Sequence, residues 1–107
     1  MNSTYYQPDH WVVLKIGGED PHHRVLGGWQ GSYLDGDSWR LNSGIVKVEK
    51  ASTTFKFYGH TGSVYECGMH NYGLRKVTAE VLQQLQKIHG PIISIMDEDT
   101  DWTKVEW

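Results

Sequence analysis

One cysteine, three prolines and two phenylalanines are the scarcest of the informative residues in this sequence of 107, and each scarcity closes off a class of protein. Cys67 has no partner within the chain, so no internal disulfide can staple the fold and stability has to come from a packed core. The apolar runs are short, far below the roughly 18 residues that a membrane-crossing helix requires. No basic-then-apolar leader precedes the first folded segment. These absences predict a soluble, cytoplasmic protein without a membrane partner. An excess of positive charge is also missing. With ten Lys and Arg against thirteen Asp and Glu the formal net charge is −3, which argues against duplex nucleic acid as a partner, since such binding draws on phosphate neutralisation.

What the chain does have is tryptophan, tyrosine and glycine: five, six and twelve respectively. They crowd into residues 27–45, where Gly27, Gly28, Gly31, Gly36 and Gly44 are interleaved with Trp29, Tyr33 and Trp39. Glycine permits positive φ or close backbone approach, and the rings carry large apolar faces with a polar tip. The stretch reads as a bent strand, a turn and a second strand whose aromatics line a concave surface. A competing account uses the same rings as core filling and the glycines as bulges. On that division Trp11 and Trp39 are expected in the core, and Trp29, Tyr33 and Tyr72 nearer the surface.

The remainder of the chain predicts mostly strands. His10–Ile16 is β-branched and aromatic and stops at Gly17-Gly18. Residues 22–26 fold back on it before meeting the Gly27-Gly28 kink. Residues 44–50 and 54–58 alternate apolar with charged, and residues 63–67 add a fifth strand. Val81, Leu82, Leu85 and Ile88 then recur at helical spacing, which predicts a helix over residues 78–89 with Thr78 as N-cap and Gly90-Pro91 as the stop. Residues 91–96 offer a last strand. The expected fold class is α+β, a curved antiparallel sheet of about five or six strands packed against one main helix. Residues 1–107 are expected to form one unit, with a polar arm over 1–9 and a solvated acidic tail over 97–107 whose Trp102 and Trp107 fold back onto the body.

Several constellations invite chemistry and fall short of it. Cys67 and His70 form half of a metal site at most, and no other ligand set completes a zinc tetrahedron. Asp97, Asp99 and Asp101 imitate the start of a calcium loop, but Trp102 stands where the sharp turn needs glycine. Ser38, Ser43, Ser63, Cys67, His60, His70, Asp35 and Asp37 supply the raw residues of a hydrolase without a nucleophile elbow. The glycines open no helix, so the usual dinucleotide and triphosphate loops are excluded. No metal, cofactor or catalytic residue is therefore assigned. The candidate ligand-binding set is Trp29, Tyr33, Asp35, Asp37, Ser38, Trp39, Arg40 and Asn42, in which rings can stack on a ligand and Arg40 can meet an anion or balance the neighbouring acids.

The run from Gly28-Trp29 through Gly31, Tyr33-Leu34, Gly36-Asp37-Ser38-Trp39-Arg40 and Asn42-Ser43-Gly44-Ile45 resembles a group of small bacteriophage-borne proteins of uncharacterised role. So do the flanking Trp11-Val12-Val13-Leu14-Lys15 and Gly62-Ser63-Val64-Tyr65-x-Cys67. The resemblance implies no site residues. It implies a genomic setting in which small accessory factors blunt host immunity. The expectation is thus a non-enzymatic protein that sequesters a small ligand, a nucleotide-derived host signal being one candidate. An inhibitor that binds a host defence protein is the alternative, and a small hydrolase comes third. An open sheet edge would also allow a homodimer.

Overall fold

The computed structural model describes residues 4–31 and 36–107. Eight strands and one helix follow in the order β1 (Tyr5–Tyr6), β2 (His10–Ile16), β3 (His22–Trp29), β4 (Ser38–Leu41), β5 (Ile45–Lys50), β6 (Thr54–Gly59), β7 (Val64–Gly68), α1 (Lys76–His89) and β8 (Ile93–Ile95). The fold is α+β and mostly sheet. In place of one curved sheet of five or six strands, however, there are two four-stranded sheets, ordered β1-β7-β6-β5 and β4-β3-β2-β8.

Strand alternation explains the layering. In β2, Trp11 and Val13 enter a core shared with Phe57, Tyr65 and Cys67 of the other sheet, whereas Val12 and Leu14 enter a second core with Leu82 of the helix. Val25 and Leu26 of β3 divide in the same way. A strand apolar on both faces must be covered on both. The result is sheet upon sheet, with α1 across the outer face of the second sheet. None of the described helices is long and apolar enough to cross a membrane.

The helix begins earlier than its spacing predicts. Arg75 is the N-cap and Thr78 lies inside the first turn, where its hydroxyl accepts the Arg75 N–H at 2.9 Å. Thr78 still satisfies a terminal donor, but from the third helical position. The segments on either side of this body are drawn in, at Tyr5–Tyr6 and at Trp102. Tyr5–Tyr6 of the expected arm pairs in parallel with β7. Trp102 of the acidic tail is 2% exposed and belongs to the inter-sheet core, with Trp107 stacked on it.

The glycine pair at 27–28 serves this chain's own packing. Residues 7–10 cross the end of β3, with the Asp9 N–H donating to Gly28 O at 2.9 Å and the Trp29 indole N–H to Gln7 O at 3.0 Å. A Cβ on Gly27 would meet Pro8, and one on Gly28 would collide with the His10 imidazole and the Thr78 methyl. His10 is 3% exposed and its Nε2 has no hydrogen-bond partner among the described residues. Burial, and then the Arg75 guanidinium, hold its pKa below the ordinary 6.5 against the opposing pull of Asp9 and Asp37. His23 is lowered in the same direction by burial, Lys15 and His22.

A pH dependence follows. The unfolded chain takes up these protons first, so stability is complete above pH 6.5 and declines as pH falls from there toward the lowered native values. The urea midpoint is expected to be lower at pH 5 than at pH 7.5, with a smaller difference in His10→Gln. Identical midpoints in the parent protein would show that neither imidazole is held neutral by the fold.

Candidate functional site

β4 begins at Ser38, and its register with β3 sorts the described part of the aromatic stretch between two faces. Trp39 lies opposite Gly28 and Arg40 opposite Gly27. Trp39 and Leu41 therefore face the helix side, and Arg40 and Asn42 the other sheet. Edge strands β4 and β1 meet there, with the Arg40 guanidinium carbon 4.6 Å from the centre of the Tyr6 ring, a cation–π geometry. Between them opens a cleft of about 410 Å³, lined by Thr4, Tyr6 and Tyr65 from the first sheet, by Arg24 and residues 40–43 from the second, and by the Thr61-Gly62-Ser63 turn. That volume falls in the range of small-molecule sites.

The lining is polar and cationic. Among the described residues no carboxylate borders the cleft. Arg24 is braced from behind. Its Nε–H donates to His22 Nε2 at 3.0 Å, and His22 Nδ1 lies 2.7 Å from Asp20 O. A single tautomer, with the proton on Nδ1, satisfies both contacts and leaves the terminal nitrogens of Arg24 for another partner. Thr61 donates its N–H and hydroxyl to Ser43 Oγ at 3.3 and 3.0 Å, so the Ser43 O–H is left to donate. Burial pushes the Tyr65 phenol up to about 12, against the opposing effect of Arg40. It therefore stays a neutral hydroxyl at ordinary pH.

At the back of the cleft stands Asn42, 1% exposed. Its Oδ1 accepts the Val25 N–H at 2.8 Å, which fixes the amide orientation. Its Nδ2 has no hydrogen-bond partner among the described residues. A buried donor left unpaired costs about 1–3 kcal/mol. Family models, curated proteins and solved structures offer no match to this chain. Function has to be argued from the geometry of the cleft.

The candidate residues from the sequence are only partly brought together. Arg40 and Asn42 line the cleft. Trp39, expected in the core, is 47% exposed beside α1 on the opposite face, because the pleat sends alternate residues of β4 to opposite sides. Trp29 is half-buried and pins the crossing segment. Asp37 accepts the Gly31 N–H at 3.1 Å, and Ser38 is exposed at the start of β4. Tyr33 and Asp35 lie outside the described residues. Tyr72, expected near the surface, bridges β2 to the segment after β8, its hydroxyl donating to Met96 O at 2.5 Å and accepting the Val13 N–H at 3.2 Å.

Thr4, Tyr6, Arg24, Thr61 and Tyr65 are among the cleft residues that the candidate set did not include. They come from separate segments that only the two-sheet arrangement joins, and the polar Thr61-Gly62-Ser63 turn was the one local signal. Cys67 and His70 do not converge. The thiol is buried, with burial raising its pKa, while His70 is exposed. No group of three or more His, Cys, Asp or Glu among the described residues could hold a metal ion.

Proposed function

We propose that this chain is a non-enzymatic binding protein that sequesters a small anionic ligand in the inter-sheet cleft, with nucleotide-derived compounds as the candidate class. The observation that carries this reading is a concave site with Arg24 and Arg40 in its lining and no described carboxylate beside them. Guanidinium groups hold phosphate oxygens through paired, charge-assisted hydrogen bonds. Tyr6 already stacks on Arg40, and its remaining edge and the Tyr65 phenol supply the apolar wall. On the resemblance to bacteriophage-borne proteins, the ligand would be a host signal and the chain an accessory counter-defence factor in the host cytoplasm.

The test is thermal denaturation with mono-, di- and cyclic nucleotides and inorganic phosphate at millimolar concentration. A ligand at a hundred times its Kd stabilises the native state by about 2.7 kcal/mol, which raises Tm by about 10 °C or more in a domain of this size. Arg40→Ala should weaken the responding ligand about 10- to 100-fold, the worth of a hydrogen bond to a charged group. No shift with any phosphate compound would remove the reading.

A second reading rests on a different feature. Trp39 stands exposed beside Val77, Val81 and Leu85 of the helix, forming an apolar groove on the far side of the second sheet. Trp is enriched among interface hot spots, so an inhibitor of a host protein would dock here. Capture of a host protein that survives Arg40→Ala and is lost in Trp39→Ala is its signature.

A further inference from the structure

The helix carries a second apolar line that its own fold leaves partly open. Thr78 and Leu82 are buried against the second sheet, whereas Val77, Val81 and Ile88 run along the flank beside them, with Gln84 completing the row. The steps of four, three and four residues are those of a coiled-coil seam. Val77 and Val81 are half-buried and Ile88 is 70% exposed. Val77, Val81, Gln84 and Leu85 form, together with Trp39 of β4, a groove of about 430 Å³ on the outside of the molecule. A helix with one covered face ordinarily keeps the rest polar. The charges beside the row are placed as regularly. Glu80 and Lys87 each precede a seam residue, Val81 and Ile88, so both lie on the same flank, two turns apart. Both are exposed, and neither belongs to an ion pair among the described residues.

We infer that this face is covered by a second copy of the chain, the two α1 helices packing antiparallel about a two-fold axis between residues 82 and 83. The pattern is complementary to itself only in that direction. With the helices reversed, Val77 of each copy meets Ile88 of the other, and Val81 meets Gln84. Glu80 then faces Lys87 of the other copy, and the two-fold axis repeats the pair, so two opposite-charge contacts flank one seam. A parallel pair brings Glu80 beside Leu85 instead and leaves both charges unmatched. Ile88, the protruding side chain, enters the other copy's groove, which Trp39 also lines. Groove and knob thus belong to one surface, as an interface between identical chains requires. α1 has 14 residues, about 21 Å at 1.5 Å per residue. The contact is therefore small, and the dimer is expected to be weak, dissociating in the micromolar range.

Sedimentation equilibrium of the full chain, from micromolar to near-millimolar concentration at low salt, tests this. The mean mass should rise with concentration from one chain toward two. Ile88→Asp, at an exposed position that the monomer does not need, should weaken association about a hundredfold or more, because each copy would carry a carboxylate into the seam. Glu80→Lys and Lys87→Glu should each weaken it about tenfold, since both flanking contacts become repulsive, and added salt should narrow that difference. An equimolar mixture of these two single variants should recover the association of the parent, because every flanking contact in the mixed dimer again pairs opposite charges. Thermal melts establish that the variants fold, and the two charge variants carry the test should Ile88→Asp not.

A single-chain mass at every concentration would overturn the inference and leave the groove to the host protein of the second reading. A dimer that tolerates Ile88→Asp, that is indifferent to the charge reversals, or that the mixture does not restore would overturn it too, by placing the contact on another surface. Ligand binding in the cleft is read separately by the nucleotide melts and stands or falls on its own.

Discussion

Trp102→Ala is expected to destabilise the protein by about 3–5 kcal/mol, the range for deleting a buried large aromatic. The indole is 2% exposed. Its ring centre lies 5.7 Å from that of Trp11, 5.6 Å from Tyr72 and 6.0 Å from Phe57. Trp107 stacks on it with an interplanar angle of 21°. Removing the ring therefore opens a cavity between the sheets and frees Trp107 together with the acidic segment. Domains of this kind have only about 5–15 kcal/mol of net stability, so the urea midpoint should fall by about a fifth or more, or the variant should be unfolded without denaturant. Glu106→Gln, an exposed change in the same segment, should stay within about 0.5 kcal/mol of the parent. An unaltered midpoint for Trp102→Ala would mean that the tail contributes nothing to the core.

Gly28→Ala should cost about 1–3 kcal/mol, the usual penalty for forcing extra volume into a packed interior. Backbone strain is not the reason, since the positive-φ glycines are Gly18, Gly36, Gly44, Gly62, Gly73 and Gly90. The added methyl instead meets the buried His10 ring on one side and the buried Thr78 methyl on the other. In a His10→Ala background one of those obstacles is gone, so the cost of Gly28→Ala should shrink, and the double-mutant cycle reads that difference directly. Equal costs in the two backgrounds would place the collision elsewhere.

The strands that were legible were those with their own pattern. His10–Ile16, residues 45–50 and residues 54–59 each carry enough β-branched or alternating residues to declare themselves. Tyr5–Tyr6 does not, because two residues have no period and their partner lies in β7. The division into two sheets was hidden for a related reason. Val12 and Val13 look alike in sequence, and only the presence of covering layers on both faces shows that β2 is central. Trp39 was expected in the core with Trp11, yet it sits on edge strand β4, where α1 covers its face incompletely.

The candidate site was half legible. Arg40 and Asn42 stood out within the aromatic stretch, but their importance does not come from the neighbouring rings. It comes from Tyr6, Arg24, Thr61 and Ser63, which the folded sheets bring to them from other segments. The glycines around them were visible as a cluster and misleading as a group. Gly27 and Gly28 admit the crossing segment, whereas Gly59, outside the cluster, is the one packed closely against the Ser43 and Ser63 hydroxyls.

The position of β8 has a consequence for biosynthesis. β2 is hydrogen-bonded to β3 on one side and to β8 on the other, with Leu14 opposite Ile95. A ribosome delivers β3 almost at once, but the second flank of β2 stays uncovered until residue 95 has been made. Such distant pairing slows folding and leaves an apolar strand edge available to other nascent chains in the interval. The vulnerable period of this protein is therefore the time between translation of its second strand and its eighth, and a chaperone that recognises His10–Ile16 would be most useful then.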